Sequence, residues 1–153
     1  MPFEKYLKLL LEWNERMNLT AIRDSEEIRL RHFEDSLKLF EAAELSGKKL
    51  IDVGTGAGFP GLPLRIQDSS ISLTLLEATG KKTAFLQAVC DELELCDVEI
   101  INARAEELGH LPQHREQYDI VTARGVTALS PLCELCLPLL KTGGILLAMK
   151  SEP

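Results

Sequence analysis

LIDVGTGAGFPG, at residues 50–61, is the stretch on which the reading of this chain turns. It opens as a short, largely apolar run, the texture of a strand buried on both faces of a parallel sheet. Gly54, Gly56 and Gly58 follow at alternate positions. Glycines there let the backbone turn tightly and let a ligand approach without meeting a Cβ. Pro60 then suits the first turn of a helix. Strand, glycine turn and helix in that order form the opening unit of an open parallel sheet, whose ligands bind beyond the carboxyl ends of the strands.

Working outward, the texture after residue 47 supports the same architecture. Apolar runs at 49–53, 71–77, 99–102, 118–123 and 144–149 alternate with helical patterns at 60–66, 79–95, 105–108 and 129–140. Such alternation predicts an α/β fold: a Rossmann-like, open, mostly parallel sheet with helices on both faces. Before residue 47 the pattern is helical. Phe3, Tyr6, Leu7, Leu10, Trp13 and Met17 fall at helical spacing, which predicts an amphipathic helix over 3–17. Asn18-Leu19-Thr20 breaks it. Asp24 with Glu27 three residues on reads as a capping box for a second helix that runs to Gly47. The chain therefore reads as a single domain, 1–153, with an N-terminal helical cap over 1–47 and the sheet over 48–153.

Composition bounds the function. The formal net charge is −7, which argues against coating nucleic acid by bulk charge. A local basic entrance remains open to Lys81, Lys82, Arg104 and Arg124, all near carboxyl ends of strands. No apolar run approaches the ~20 residues of a membrane span, and the first 18 residues do not read as a secretory leader. The compartment expected is the cytoplasm. Cys90, Cys96, Cys133 and Cys136 fall in or beside apolar helical stretches, where cysteine packs as a small hydrophobe. His110 and His114 flank Leu111-Pro112-Gln113, a loop pattern. No metal site and no disulfide are expected.

Two cofactors compete for the glycine turn. Gly56 to Gly61 match the dinucleotide fingerprint G-x-G-x-x-G, so a nicotinamide (NAD)-dependent oxidoreductase is one reading. A pyrophosphate needs N–H donors, and Phe59-Pro60 places a bulky ring and a residue without N–H there. Asp52, two residues before Gly54, repels a diphosphate and suits a ligand with a cationic end. S-adenosylmethionine carries a sulfonium and an ammonium and no phosphate, and the acid-x-G-x-G-x-G pattern resembles motif I of Rossmann-like methyltransferases. Glu77 closes the second strand as an acceptor for ribose hydroxyls. Ala78 and Thr79 flank the adenine, and Thr79 also suits the cap of the next helix. Ala105 and Glu106 follow the third strand, and Arg124 ends the fourth, at the mouth of the cleft, where it meets cofactor or an RNA phosphate.

Taken together, NLTAI, RHFEDSL, LIDVGTGAGFPGLPL, LLEATGKKTAFLQ, ARAEEL, YDIVTARGV and LCLPLLKTGG resemble the glucose-inhibited division protein B family from about residue 13 to 149. The resemblance implies a class I methyltransferase fold that uses S-adenosylmethionine to methylate guanine N7 in small-subunit (16S) ribosomal RNA. It implies a monomer with ribosomal RNA or the ribosomal subunit as partner. It also implies cofactor contacts at Gly54, Phe59, Glu77, Ala78, Thr79, Ala105, Glu106 and Arg124. The RHFEDSL helix would stand near the entrance, making His32, Asp35 and Ser36, with Arg124, the substrate side. Guanine N7 has a free lone pair, so positioning rather than a general base drives transfer, and no catalytic side chain is expected. Family members continue past Met149 with two more strands and a helix. The expectation here is a sheet without that pair, and a third reading is a shortened, inactive cofactor-binding module.

Overall fold

The structure, a computed structural model, describes residues 1–149. Helix α1 (Pro2–Asn14) buries Tyr6, Leu7 and Leu10. It stops three residues short of the predicted end because Asn14 turns back on the chain. The buried Asn14 Oδ1 accepts from the backbone N–H groups of Leu19 and Thr20, and its Nδ2 donates to the Thr20 carbonyl. The predicted second helix is not continuous. It comprises α2 (Ser25–Ile28), a π-helical stretch (Arg29–Glu34), α3 (Asp35–Leu37) and α4 (Leu39–Ala42). Asp24 does cap it, accepting from the Glu27 N–H at 3.1 Å. The wider π turn, a form common at functional sites, brings two consecutive residues, His32 and Phe33, to the interior.

The sheet follows: β1 (Lys49–Val53), α5 (Gly61–Gln67), β2 (Ser72–Glu77), α6 (Gly80–Glu92), β3 (Val98–Asn102), α7 (Ala105–Leu108), β4 (Tyr118–Arg124), α8 (Leu129–Cys136), a 3-10 turn (Leu137–Leu139) and β5 (Leu140–Met149). All four strand pairings are parallel, in the order β3-β2-β1-β4-β5. Strand β5 starts four residues earlier than its apolar run, with an irregular register opposite Tyr118 and Ile120. Both faces are covered. Tyr6, Leu10, Leu62 and Phe85 pack in one core, and Val53, Leu108, Leu132 and Cys136 in the other. Each fully buried Leu or Phe contributes roughly 1.5–3 kcal/mol of transfer free energy. Cys90 and Cys136 lie in these cores, Cys133 is half-buried and Cys96 is exposed, all as free thiols. Among the described residues no helix is long and apolar enough to cross a membrane.

Strand order reverses between β1 and β4, so their carboxyl ends diverge and leave a crevice. The glycine turn leaves β1 at that point, and Arg124 ends β4 beside it.

Candidate functional site

The turn is built by left-handed glycines. Gly54, Gly56 and Gly58 have φ of +65°, +58° and +101°. A Cβ on Gly54 would stand 2.9 Å from Val126 Cγ2, in the loop after β4, whereas a Cβ on Gly56 would enter open space. Gly56 therefore presents bare backbone to open space, Gly54 lets the loop after β4 pack closely on the turn through Val126, and Gly58 faces inward, against Tyr6 and Leu62.

Six of the turn's N–H groups, those of Gly54, Thr55, Gly56, Gly58, Phe59 and Gly61, already have acceptors. Gly54 and Thr55 donate to the Leu76 carbonyl, and Gly58 and Phe59 to the Thr55 carbonyl. Gly56 N–H donates to Glu77 Oε1 at 2.9 Å and Gly61 N–H to Asp52 Oδ2 at 3.0 Å. Pro60 has none. A pyrophosphate thus finds carboxylates where it needs donors.

Asp52 is fully buried. Its Oδ2 accepts from Thr55 Oγ1 at 2.6 Å as well as from Gly61, and its Oδ1 accepts from Thr122 Oγ1 at 3.0 Å. Burial pushes its pKa up to about 7 against these three donors. The sequence reading turned this carboxyl toward the cationic end of a ligand. The structure instead closes it beneath the turn, where it ties β1, β4 and the start of α5 together. Thr55 and Thr122 are partners that sequence patterning did not single out.

Glu77 stands at the end of β2 with its carboxylate bridging two backbones, Gly56 N–H to Oε1 and Thr79 N–H to Oε2, each at 2.9 Å. One lone pair on each oxygen is left for a ligand. Asn102 Nδ2, from the end of β3, donates to the Glu77 carbonyl at 3.0 Å. Ala78 and Thr79 are exposed beside it. Thr79 occupies the N-cap position of α6, but its side chain makes no capping bond. Ala105 is buried at the start of α7 and Glu106 is exposed next to it. Lys81 and Arg104 are exposed and Lys82 half-buried on the same side of the sheet.

On the β4 side an aromatic column rises from the helical cap. Tyr6 stacks on Phe59 at 5.4 Å between centroids, and Phe59 stacks on His32 at 4.5 Å. The Tyr6 hydroxyl donates to the Ala57 carbonyl at 2.5 Å, pinning the turn to α1. The Arg124 guanidinium lies 5.1 Å from the Phe59 ring centre, and its Nη2 is 3.0 Å from His32 Nδ1. Burial and the adjacent Arg124 charge lower the His32 pKa to about 4, so the imidazole is neutral. Burial also lowers Arg124, with Asp52 acting against it.

Asp35 is partly exposed and lies 3.5 Å from Lys38 Nζ. Ser36 does not reach the entrance: it is fully buried, and its hydroxyl donates to the His32 carbonyl at 2.5 Å. Such a bond back to the preceding turn is common for helical serine. The structure therefore brings together Gly54, Gly56, Phe59, Glu77, Arg124 and His32, and sets Asp52 and Ser36 behind them as braces. Tyr6 and Thr20 were missed in the sequence. Their signal was a hydroxyl on an otherwise apolar helix face, and a threonine just past a helix that ends on a buried asparagine.

The family model described as GidB, rRNA small subunit methyltransferase G, matches residues 2–153. A ribosomal RNA small subunit methyltransferase G from Caldanaerobacter subterraneus subsp. tengcongensis is 49% identical over 98% of this chain and 63% of that protein. Its counterpart from Roseiflexus castenholzii is 51% identical over 98% of this chain and 64% of that protein. The chain thus spans a little under two thirds of the length of these relatives. Among solved structures, a putative S-adenosyl-L-methionine-dependent methyltransferase from Methanococcus maripaludis aligns with TM-score 0.69 at 16% identity, over 96% of this chain and 63% of that one. A methyltransferase from Geobacter sulfurreducens in complex with S-adenosyl-L-homocysteine aligns with TM-score 0.62 at 23% identity, over 75% of this chain and 47% of that one. These likenesses are of fold, and they are to methyltransferases rather than to nicotinamide-dependent oxidoreductases. With a family match over 2–153 and identities near one half, this chain belongs to the rRNA small subunit methyltransferase G family.

Proposed function

We propose that this chain binds S-adenosylmethionine at the β1–β4 switch point and serves methyl transfer to guanine N7 of 16S ribosomal RNA. The observation that carries the reading is the Glu77 carboxylate, joined to Gly56 N–H across the mouth of a turn in which Gly54, Thr55, Gly58, Phe59 and Gly61 already spend their N–H groups internally. That arrangement accepts vicinal ribose hydroxyls and refuses a pyrophosphate. Exposed Ala78 and Thr79, with Glu106 beyond them, provide the adenine side.

The cofactor would supply an electrophilic methyl group on a sulfonium centre. The residues of this chain bind and orient. Bare backbone at Gly56 gives the ligand close approach, and Asp52, Thr55 and Thr122 hold the turn in shape from below. Phe59 and Arg124 wall the β4 side. Guanine N7 carries an unshared pair and no proton, so alignment supplies the acceleration. A base held in a helix must leave its stack to enter the crevice. Arg124, Arg104 and Lys81 provide local positive charge on a chain of net charge −7.

Titration calorimetry of this chain with S-adenosylhomocysteine, with NAD in parallel, tests the cofactor. Methyl transfer to small-subunit ribosomal RNA, with the product nucleoside read by mass spectrometry, tests the reaction. Micromolar binding of S-adenosylhomocysteine and a 7-methylguanosine product are expected. Binding of NAD alone, or methylation at another atom, overturns the reading. Binding without transfer would leave a cofactor-binding module.

A further inference from the structure

The Arg124 guanidinium is held by more than the ring beneath it. Guanidinium is a donor with no acceptor, so the His32 Nδ1 that lies 3.0 Å from Arg124 Nη2 is the unprotonated ring nitrogen. The proton of the neutral imidazole is therefore on Nε2, which donates to Thr20 Oγ1 at 2.8 Å. Thr20 Oγ1 also accepts from the Ile22 N–H at 3.1 Å. Thr20 is fixed in turn by Asn14, which bonds both its N–H and its carbonyl. A line of polar contacts thus runs from the end of α1 through Thr20 and His32 to the tip of β4. Stacking on Phe59 fixes the plane of the imidazole, and Thr20 fixes its rotation within that plane.

We propose that Thr20 is a positioning residue: by accepting from His32 Nε2–H it holds the imidazole with its unprotonated Nδ1 toward Arg124, and so sets where Arg124 presents its remaining N–H groups to a phosphate of the substrate RNA. This rests on the RNA-methyltransferase reading above. Arg124 has five N–H donors. One goes to His32, and a long contact of 3.4 Å joins Nη1 to the Arg31 carbonyl. Among the described residues the others have no partner, and the side chain is half-exposed. Without the Thr20 acceptor, Nε2–H loses its partner, the ring is free to flip or change tautomer, and a proton on Nδ1 would confront Arg124 donor to donor.

The test uses Thr20→Val, which removes the acceptor at nearly constant volume, and Thr20→Ser, which keeps it. Three readouts are taken on this chain: the 15N spectrum of the imidazoles, affinity for a fragment of small-subunit ribosomal RNA by fluorescence anisotropy, and affinity for S-adenosylhomocysteine. With three histidines in the chain, His32→Gln assigns the signal. The wild type should show His32 protonated on Nε2. Thr20→Val should lose that signature and bind RNA roughly ten-fold more weakly, the equivalent of ~1.4 kcal/mol, with a shallower salt dependence. Thr20→Ser should restore both, and cofactor affinity should stay within two-fold throughout. A wild-type His32 protonated on Nδ1 overturns the proposal, as does equal loss in the valine and serine variants or unchanged RNA affinity in Thr20→Val. If wild-type protein binds neither S-adenosylhomocysteine nor RNA, it is the underlying functional reading that fails, while the tautomer signal still judges the polar line.

Discussion

Replacing two glycines of one turn by alanine should separate folding from binding. Gly58 has φ of +101°, and a Cβ there would lie 2.5 Å from Leu62 Cδ1 and collide with the Tyr6 hydroxyl. Backbone strain of this kind costs ~1–3 kcal/mol, and forcing a methyl group into a filled core costs ~1–3 kcal/mol more. Gly58→Ala should therefore lose roughly 2–6 kcal/mol, a large part of the ~5–15 kcal/mol that holds a typical domain folded. Gly56 has φ of +58° and nothing within 4 Å of its would-be Cβ. A left-handed alanine costs ~1–2 kcal/mol, and reduced freedom of the unfolded chain returns about 0.4–1 kcal/mol. Gly56→Ala should be destabilised by about 0–1.6 kcal/mol. It nevertheless places a methyl group in the crevice beside Glu77, so its affinity for S-adenosylhomocysteine should fall at least ten-fold, a change of ~1.4 kcal/mol. Urea unfolding followed by the single tryptophan is the assay, since Trp13 packs on Phe85 at 5.7 Å and reports the joint between α1 and the sheet. Calorimetry on the folded variants completes it. A Gly58→Ala protein within 0.5 kcal/mol of wild type, a value below the ~1–3 kcal/mol floor of either cost, would refute the reasoning. So would a Gly56→Ala protein that unfolds as readily as Gly58→Ala yet binds normally.

Three further outcomes follow from the same geometry. Tyr6→Phe leaves the buried Ala57 carbonyl without its donor and should cost ~1–3 kcal/mol in urea unfolding; a midpoint equal to wild type's counts against the pinning of the turn by α1. Glu77→Gln should weaken S-adenosylhomocysteine binding and also lower stability, because the amide NH2 must face either the Gly56 or the Thr79 N–H; unchanged calorimetry would remove Glu77 from the site. For pH, His32 is held at about 4 from 6.5 and Asp52 at about 7 from 3.8. Between pH 4 and 6.5 the unfolded chain takes up a proton at His32 that the folded chain refuses, so that contribution grows as pH rises. Asp52 acts oppositely, since from 3.8 to about 7 the folded chain keeps a proton that the unfolded chain releases. The two slopes offset one another. Asp52→Asn removes one of them, so on acidification through that window it should lose stability more steeply than wild type, by about 2–3 kcal/mol in all; urea midpoints that run parallel to wild type's from pH 6.5 to 4 would contradict the Asp52 assignment.

Much of this protein could be read without coordinates. The five strands, the crossovers between them and the glycine turn follow from local causes. A strand buried on both faces must be a continuous apolar run, and left-handed φ at Gly54, Gly56 and Gly58 requires residues without a Cβ. Glu77 was legible too, because its role depends on ending a strand. What the sequence could not decide is which way a polar side chain faces once the chain closes. Asp52 reads as a ligand group from its distance to Gly54, yet Thr122 and Gly61 converge on it from 70 and nine positions away and seal it in. Ser36 reads as an entrance residue by its place in RHFEDSL, but it is buried in α3 with its hydroxyl on the His32 carbonyl. The column of Tyr6, Phe59, His32 and Arg124 unites residues from α1, the turn, the helical cap and β4. Helical and strand periodicity record only which face of an element is apolar. Contacts between distant elements, and the tautomer and charge states that follow from them, arise only when packing removes water and forces each buried polar group to find its partner.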